Sequence, residues 1–249
     1  LQKHHYALVK ELEQSRLLNV ELTDRLEKLL DVTKIEDYSM PQGFAGELRS
    51  YQKAGYNWMR FLHEYSLGGC LADDMGLGKT VQTLSLLQSI KENTDQHVSL
   101  LVLPKSLIYN WHLEAYKFTP DLKILLHAGT ERSRQNKHFA AYDLVITSYP
   151  ILSRDIELFR SFYFNYIVLD EAQAIKNPSS AITKAVMELQ CKHRLVLSGT
   201  PVENSTMDLW SQMNFINPGL LGTQTYFKQE FLQPIEKKGD EQKARKLQA

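Results

Sequence analysis

Residues 73–80 read DDMGLGKT. Gly78, Lys79 and Thr80 end this stretch as a phosphate-binding loop of the pattern G-x-x-x-x-G-K-[ST] ends, but Asp73 stands where the first glycine belongs. Such a loop works because successive backbone N–H groups point at phosphates, with a helix N-terminus behind them. The positions that must lack bulk are those nearest the phosphates, here Gly76 and Gly78. The first position needs only a backbone that can leave a strand, so an aspartate there does not disqualify the loop. The flanks agree: GGCLA before it reads as a strand, and TVQTLSLLQSI after it as a helix. Asp74, Gly76, Leu77, Gly78, Lys79 and Thr80 are therefore candidate nucleotide-binding residues. Lys79 suits the β- and γ-phosphates, and the Thr80 hydroxyl suits a Mg²⁺ ion.

Outward from the loop, short apolar runs recur: VSLLVLP, LKILLHAG, DLVITSY, YIVLDEA and HRLVLSG. None alternates polar with apolar, which suits strands covered on both faces. Helical patterns separate most of them, at 80–92, 105–118 and 178–190. Strands alternating with helices predict an α/β fold with a mostly parallel sheet, whose functional loops lie at the carboxyl ends of the strands.

Two further strand ends carry chemistry. IVLDEAQ, residues 167–173, closes an apolar run with adjacent carboxylates. Beside a phosphate loop, Asp170 suits the Mg²⁺ shell and Glu171 suits the attacking water, as orienter and base. RLVLSGTPVEN, residues 194–204, ends in small polar residues. Ser198, Gly199 and Thr200 are candidates for coupling nucleotide state to movement.

Bulk composition neither names nor excludes a polyanionic partner. The chain has 249 residues, 43% of them hydrophobic, and 29 basic residues balance 29 acidic ones, so any basic footprint must be local. Cys70 and Cys191 form no CxxC pair and are expected as buried thiols in a reducing compartment. Neither a membrane span nor a signal-peptide core is read, so a soluble intracellular protein is expected. Leu18, Leu22, Leu26 and Leu29 make a helical stripe within residues 1–35, expected as a docking face. Pro41, Gly43 and Gly46 break that pattern. The expected organisation is a helical segment over 1–38, an ATP-binding domain over 39–218 and a helical linker over 219–249.

Taken in order, these motifs resemble the first motor lobe of the Swi/Snf-type ATPases, a branch of the superfamily-two helicase-like proteins. The likeness covers roughly residues 44–236. LRSYQKAGYNWM is similar to that family's adenine-recognition segment, with Gln52 as the reader, and an acidic residue at Asp73 is normal there. LLVLPKSLIYNWHLEAYKF keeps the family's Pro104, Asn110 and Trp111, and DLVITSY, LDEAQAIKN and LSGTPVEN match its later motifs. DLWSQMNFINPGLLG followed by YFKQEFLQPI resembles its linker toward a second lobe.

The resemblance implies a RecA-like three-layer fold, ATP and Mg²⁺ as cofactors, and translocation along double-stranded DNA or remodelling of protein–DNA complexes. It implies DNA contacts at Lys105 and Ser106, at Thr147, Ser148 and Tyr149, and at Lys176 and Asn177. It places the protein in a bacterial cytoplasm, or in a nucleus if the source is eukaryotic. Two departures stand out. The acidic box ends in Gln173 rather than histidine, which keeps hydrogen bonding but cannot titrate. A second RecA-like lobe, with its arginine fingers, is expected beyond residue 249. Arg194 should sit at the amino end of its strand and Arg49 by the adenine segment, so neither replaces a finger. A nucleotide-dependent binding module without catalysis is the alternative reading. A small-molecule P-loop kinase is a third, disfavoured by the DNA-contact motifs.

Overall fold

The computed structural model describes residues 35–95, 97–130, 132, 135–199 and 206–248. The helix expected over 1–35 and its leucine stripe lie outside the described residues, Ile35 aside, and so does Thr200.

The chain runs α1 (Ser50–Tyr65), β1 (Gly69–Leu71), α2 (Lys79–Asn93), β2 (Ser99–Leu103), a 3₁₀ turn at Lys105–Leu107, α3 (Ile108–Phe118) and β3 (Ile124–His127). After a 3₁₀ stretch it continues through β4 (Leu144–Ser148), α4 (Tyr149–Arg154), α5 (Ile156–Arg160), β5 (Tyr163–Asp170), α6 (Ala181–Met187), β6 (Gln190–Leu197) and α7 (Thr206–Ile216). Short helices then follow to Gln248. The helix expected over 178–190 is shorter. Ser180 caps it, its hydroxyl accepting from the Thr183 N–H at 3.1 Å, and the backbone turns away after Met187 into β6.

The six strands form one sheet in the order β1-β6-β5-β2-β4-β3. Every pairing is parallel. Parallel neighbours require crossovers, and helices carry them and cover both faces, except between β3 and β4, where the described residues hold only the 3₁₀ stretch Asn136–Ala141.

The period of two explains how one apolar run serves two cores. Leu101 and Leu103 of β2 join a cluster with Met59 of α1, Leu84 and Leu87 of α2 and Trp111 of α3. Leu100 and Val102 point the other way, to Tyr149 and Leu152 of α4, Phe159 of α5, Val186 of α6 and Phe215 of α7. Each such leucine contributes roughly 1.5–3 kcal/mol by leaving water. A third, smaller cluster joins Trp210 of α7 to Phe227 and Phe231. Residues after 218 are thus anchored to the lobe through α7.

Cys70 and Cys191 are free thiols, and burial pushes Cys70 up to about 11 and Cys191 upward as well. Among the described residues no helix is long and apolar enough to cross a membrane. None of them form a cluster of three or more His, Cys, Asp or Glu that could hold a metal ion.

Candidate active site

Parallel register brings the motifs together. Leu71 at the end of β1 pairs with Leu197 of β6, and Leu197 pairs with Asp170 of β5. Leu103 of β2 pairs with Ser148 of β4. The phosphate loop, the acidic box, Ser198 and the loop at Lys105 therefore leave the sheet along one carboxyl edge.

In the phosphate loop, Gly76 and Gly78 have φ of +83° and +82°. An L side chain in that left-handed region costs roughly 1–2 kcal/mol. A Cβ on Gly76 would meet nothing within 4 Å, so only the backbone demands glycine there. At Gly78 a Cβ would also fall 2.5 Å from Gln52 Nε2. Gly78 caps α2, whose first turn carries no acidic residue, so nothing in that turn offsets the positive end of the helix dipole. The Lys79 ammonium donates to the carbonyls of Asp73 at 2.6 Å and Asp74 at 3.1 Å. Asp73 itself accepts from Gln82 Nε2 at 3.0 Å. The aspartate at the loop's first position thus ties the loop to its own helix. Sequence reading passed over Gln82.

Gln52 sits in the first turn of α1, and its Oε1 accepts from the Arg49 N–H at 3.0 Å. Its Nε2 donates to Leu77 O at 3.1 Å. The amide expected to read adenine is here a helix cap and a brace on the phosphate loop. Nε2 also donates to the Tyr51 hydroxyl at 3.5 Å, so the remaining capacity for a base is the second lone pair of Oε1, or a donor freed from that long bond. Gly78→Ala should lower stability by roughly 1–2 kcal/mol from φ alone and further from the Gln52 clash. Gly76→Ala should show the φ cost only. Equal losses for the two in thermal denaturation would mean that the Gln52 contact is immaterial.

Asp170 ends β5 and is only 6% exposed. Its Oδ2 accepts from Trp111 Nε1 at 2.8 Å, and its Oδ1 from the Glu171 N–H at 2.9 Å. The Tyr149 hydroxyl donates to its backbone carbonyl at 2.8 Å. Burial raises the Asp170 carboxyl above its ordinary range, and the charge of Glu171 adds to this; Trp111, the Glu171 N–H and Lys79 oppose it.

Glu171 has φ of +50°, which turns the chain from β5 into the 3₁₀ helix Ala172–Ile175. Its Oε2 accepts from Gln173 Nε2 at 2.6 Å, while Gln173 Oε1 is buried without a hydrogen bond. Phosphate loop and acidic box line one cavity of about 280 Å³, which Asn110, Trp111 and Glu114 of α3 also line. Glu114, which sequence reading did not single out, has its carboxyl raised by burial.

A larger cavity of about 740 Å³ lies elsewhere, around Arg132, Arg154 and Asp155, and shares no residue with these motifs. Asp155 takes the Arg132 guanidinium there, with Nη2 to Oδ1 at 2.9 Å.

Ser198 is fully buried, and its N–H donates to Leu71 O at 3.2 Å, so the end of β6 is stitched to β1. A Cβ on Gly199 would lie 3.3 Å from Met75 Cγ, which puts the phosphate loop directly over this turn. Arg194 corrects an expectation: it lies within β6, opposite Ile167, rather than at the strand's amino end. Its guanidinium donates to Phe215 O at 2.9 Å and covers the Phe215 ring, which leaves it tied to α7.

The proposed DNA contacts divide. Lys105, Ser106, Lys176 and Asn177 are exposed at the carboxyl edge. Thr147, Ser148 and Tyr149 are buried, which corrects the expectation that their side chains meet DNA at the surface. The Thr147 hydroxyl donates to His127 O at 2.9 Å, and Tyr149 is taken by Asp170. A strand covered on both faces keeps its side chains inside to its last residue.

Comparison with known proteins agrees with this geometry. The SNF2-related domain matches residues 51–249. The chain is 40% identical over 224 residues to the TATA-binding protein-associated factor mot1 of Schizosaccharomyces pombe, spanning 84% of this chain and 12% of that protein. It is 40% identical over 235 residues to the putative ATP-dependent helicase/translocase YwqA of Bacillus subtilis, spanning 93% and 26%. Among solved structures, the Sulfolobus solfataricus SWI2/SNF2 ATPase core in complex with dsDNA is similar with a TM-score of 0.79 and 43% identity, covering 85% of this chain and 44% of that one. The chain therefore spans between 12% and 44% of these proteins' lengths, and it belongs to the SNF2-related family, with the RecA-like fold of the first lobe of a Snf2-type ATPase core.

Proposed function

We propose that this chain is the ATP-binding lobe of a motor that hydrolyses ATP to move along double-stranded DNA. One observation carries the reading: a single cavity is lined both by a glycine loop in left-handed conformation with its lysine and by a strand-end Asp-Glu pair. The donor set fits ATP·Mg²⁺. The open space at Gly76, the uncompensated start of α2 and the Lys79 ammonium receive phosphates, and the two backbone carbonyls that Lys79 now contacts release it. The Thr80 hydroxyl and the Asp170 carboxylate would hold the metal. Bound Mg²⁺ supplies charge neutralisation at the phosphoryl being transferred. Glu171 orients a water and takes its proton once Gln173 shares or releases its carboxylate.

Lys105, Ser106, Lys176 and Asn177 offer a positioning surface for DNA phosphates, without sequence readout. A solved relative bound to dsDNA supports that partner. Among the described residues no arginine lines the nucleotide cavity, so the lobe alone should bind nucleotide and turn it over near background.

The deciding experiment is a calorimetric titration with ATP·Mg²⁺. The wild-type chain should bind weakly, because the cavity of about 280 Å³ lined by these motifs is small for a whole nucleotide. Lys79→Ala removes the point charge at the β- and γ-phosphates and should abolish detectable binding. Unchanged affinity in that variant would sink the assignment.

A further inference from the structure

We propose that Trp111 is a positioning residue that aims the Asp170 carboxylate at the metal of a bound nucleotide, an inference that rests on the ATP·Mg²⁺ reading of this site. Trp111 is 1% exposed and lines the cavity from α3. A buried indole N–H nearly always finds some acceptor, so a hydrogen bond by itself says little. What matters is which acceptor it takes. Its Nε1–H reaches one carboxylate oxygen of Asp170 at 2.8 Å, across 59 positions of sequence.

The second carboxylate oxygen is held by the Glu171 N–H at 2.9 Å. Two donors from two different elements therefore fix the plane of the carboxylate. The Tyr149 hydroxyl fixes the carbonyl of the same residue at 2.8 Å. A carboxylate offers about four lone-pair sites, so each oxygen retains one for a ligand after these bonds form. An indole is a donor only and cannot compete for the metal. Asp170 is thus oriented without being masked. Partners of this kind, one bond removed from a metal, typically change metal affinity or activity about 10- to 100-fold when lost. The donor sits in the first turn of α3, which follows directly on the 3₁₀ turn that carries Lys105 and Ser106.

The test is a Mg²⁺ titration of nucleotide binding by the 249-residue chain, wild type against Trp111→Phe. Phenylalanine keeps an aromatic ring in the core and deletes the donor. The half-saturating Mg²⁺ concentration should rise about tenfold or more. Affinity for ATP in EDTA should not change, because a merely structural defect would weaken both. The second measurement needs no altered site. The indole N–H resonance of Trp111, assigned by removing Trp58 and Trp210 in turn as phenylalanine, should move when Mg²⁺ is added to the ATP-bound protein. If wild-type protein binds ATP with no Mg²⁺ dependence, the ATP·Mg²⁺ reading itself fails. If wild type depends on Mg²⁺ while Trp111→Phe titrates identically and the resonance stays still, only the role of Trp111 is overturned. Should Trp111→Phe fail to fold, the resonance alone decides.

Discussion

Joined to a second RecA-like lobe that contributes arginines, this chain should hydrolyse ATP roughly 10³–10⁵ times faster than it does alone, the range an arginine finger supplies. Phosphoryl transfer spreads charge over the γ-phosphoryl oxygens, and the groups here meet only part of it. In the proposed roles, Lys79 and Asp170 would act on the loop and metal side and Glu171 on the water side of the cavity they line. Of the arginines nearest in sequence to the motifs, Arg194 has its guanidinium bonded to α7, and Arg49, exposed at the start of α1, does not line the cavity. DNA dependence should appear together with turnover. On this lobe the exposed cationic candidates are Lys105 and Lys176, and two phosphate contacts give a slope of only about −2 for log affinity against log salt. The joined protein should bind duplex more tightly and with a steeper slope. Robust DNA-stimulated turnover by residues 1–249 alone would show that the active site is already complete, and the half-motor reading would fail.

The grouping of the candidate motifs on one sheet edge was legible in sequence because they are short contiguous stretches at strand ends. A glycine pattern, a lysine and a helix start within eight residues, and two carboxylates after an apolar run, need no tertiary knowledge. Strand type and the edge on which the loops emerge followed from the alternation of strands and helices. Strand order did not, since the sequence carries no mark that β6 inserts between β1 and β5. Side-chain direction was harder still. DLVITSY identified a strand end correctly but could not say that all of β4 is buried, which takes Thr147 and Ser148 from solvent, or that Tyr149 is buried in the helix that follows. The bonds from Trp111 and Tyr149 to Asp170 are long-range, so only the fold reveals them. Gln52 shows the same limit within one motif. Its type and place match adenine recognition, yet its neighbours Arg49 and Leu77 determine what its amide does in the folded chain.

Glu171→Gln should lower hydrolysis by the joined motor about 10²–10⁴-fold, the usual contribution of a general base, while nucleotide affinity changes little. The two adjacent carboxylates are separable because their surroundings differ. Asp170 is buried and held at both oxygens, which suits a fixed ligand. Glu171 is half-buried, lies one residue beyond the strand, and its carboxylate accepts from the Gln173 amide at 2.6 Å. Glutamine at 171 keeps the size, the backbone turn and a carbonyl oxygen for Gln173 to donate to, but it cannot take a proton from water. Thermal stability should therefore be unchanged, because the left-handed backbone at this position is retained. Asp170→Asn should behave differently, losing the Mg²⁺ dependence of nucleotide binding as well as turnover. The control is Glu114→Gln. Glu114 is the other carboxylate lining the cavity besides this pair, and burial raises it, the direction that strengthens a carboxylate as a proton acceptor, so its removal has to be compared directly. If Glu171→Gln retains turnover within threefold and Glu114→Gln does not, the proton acceptor is on α3 and the roles assigned here must be exchanged.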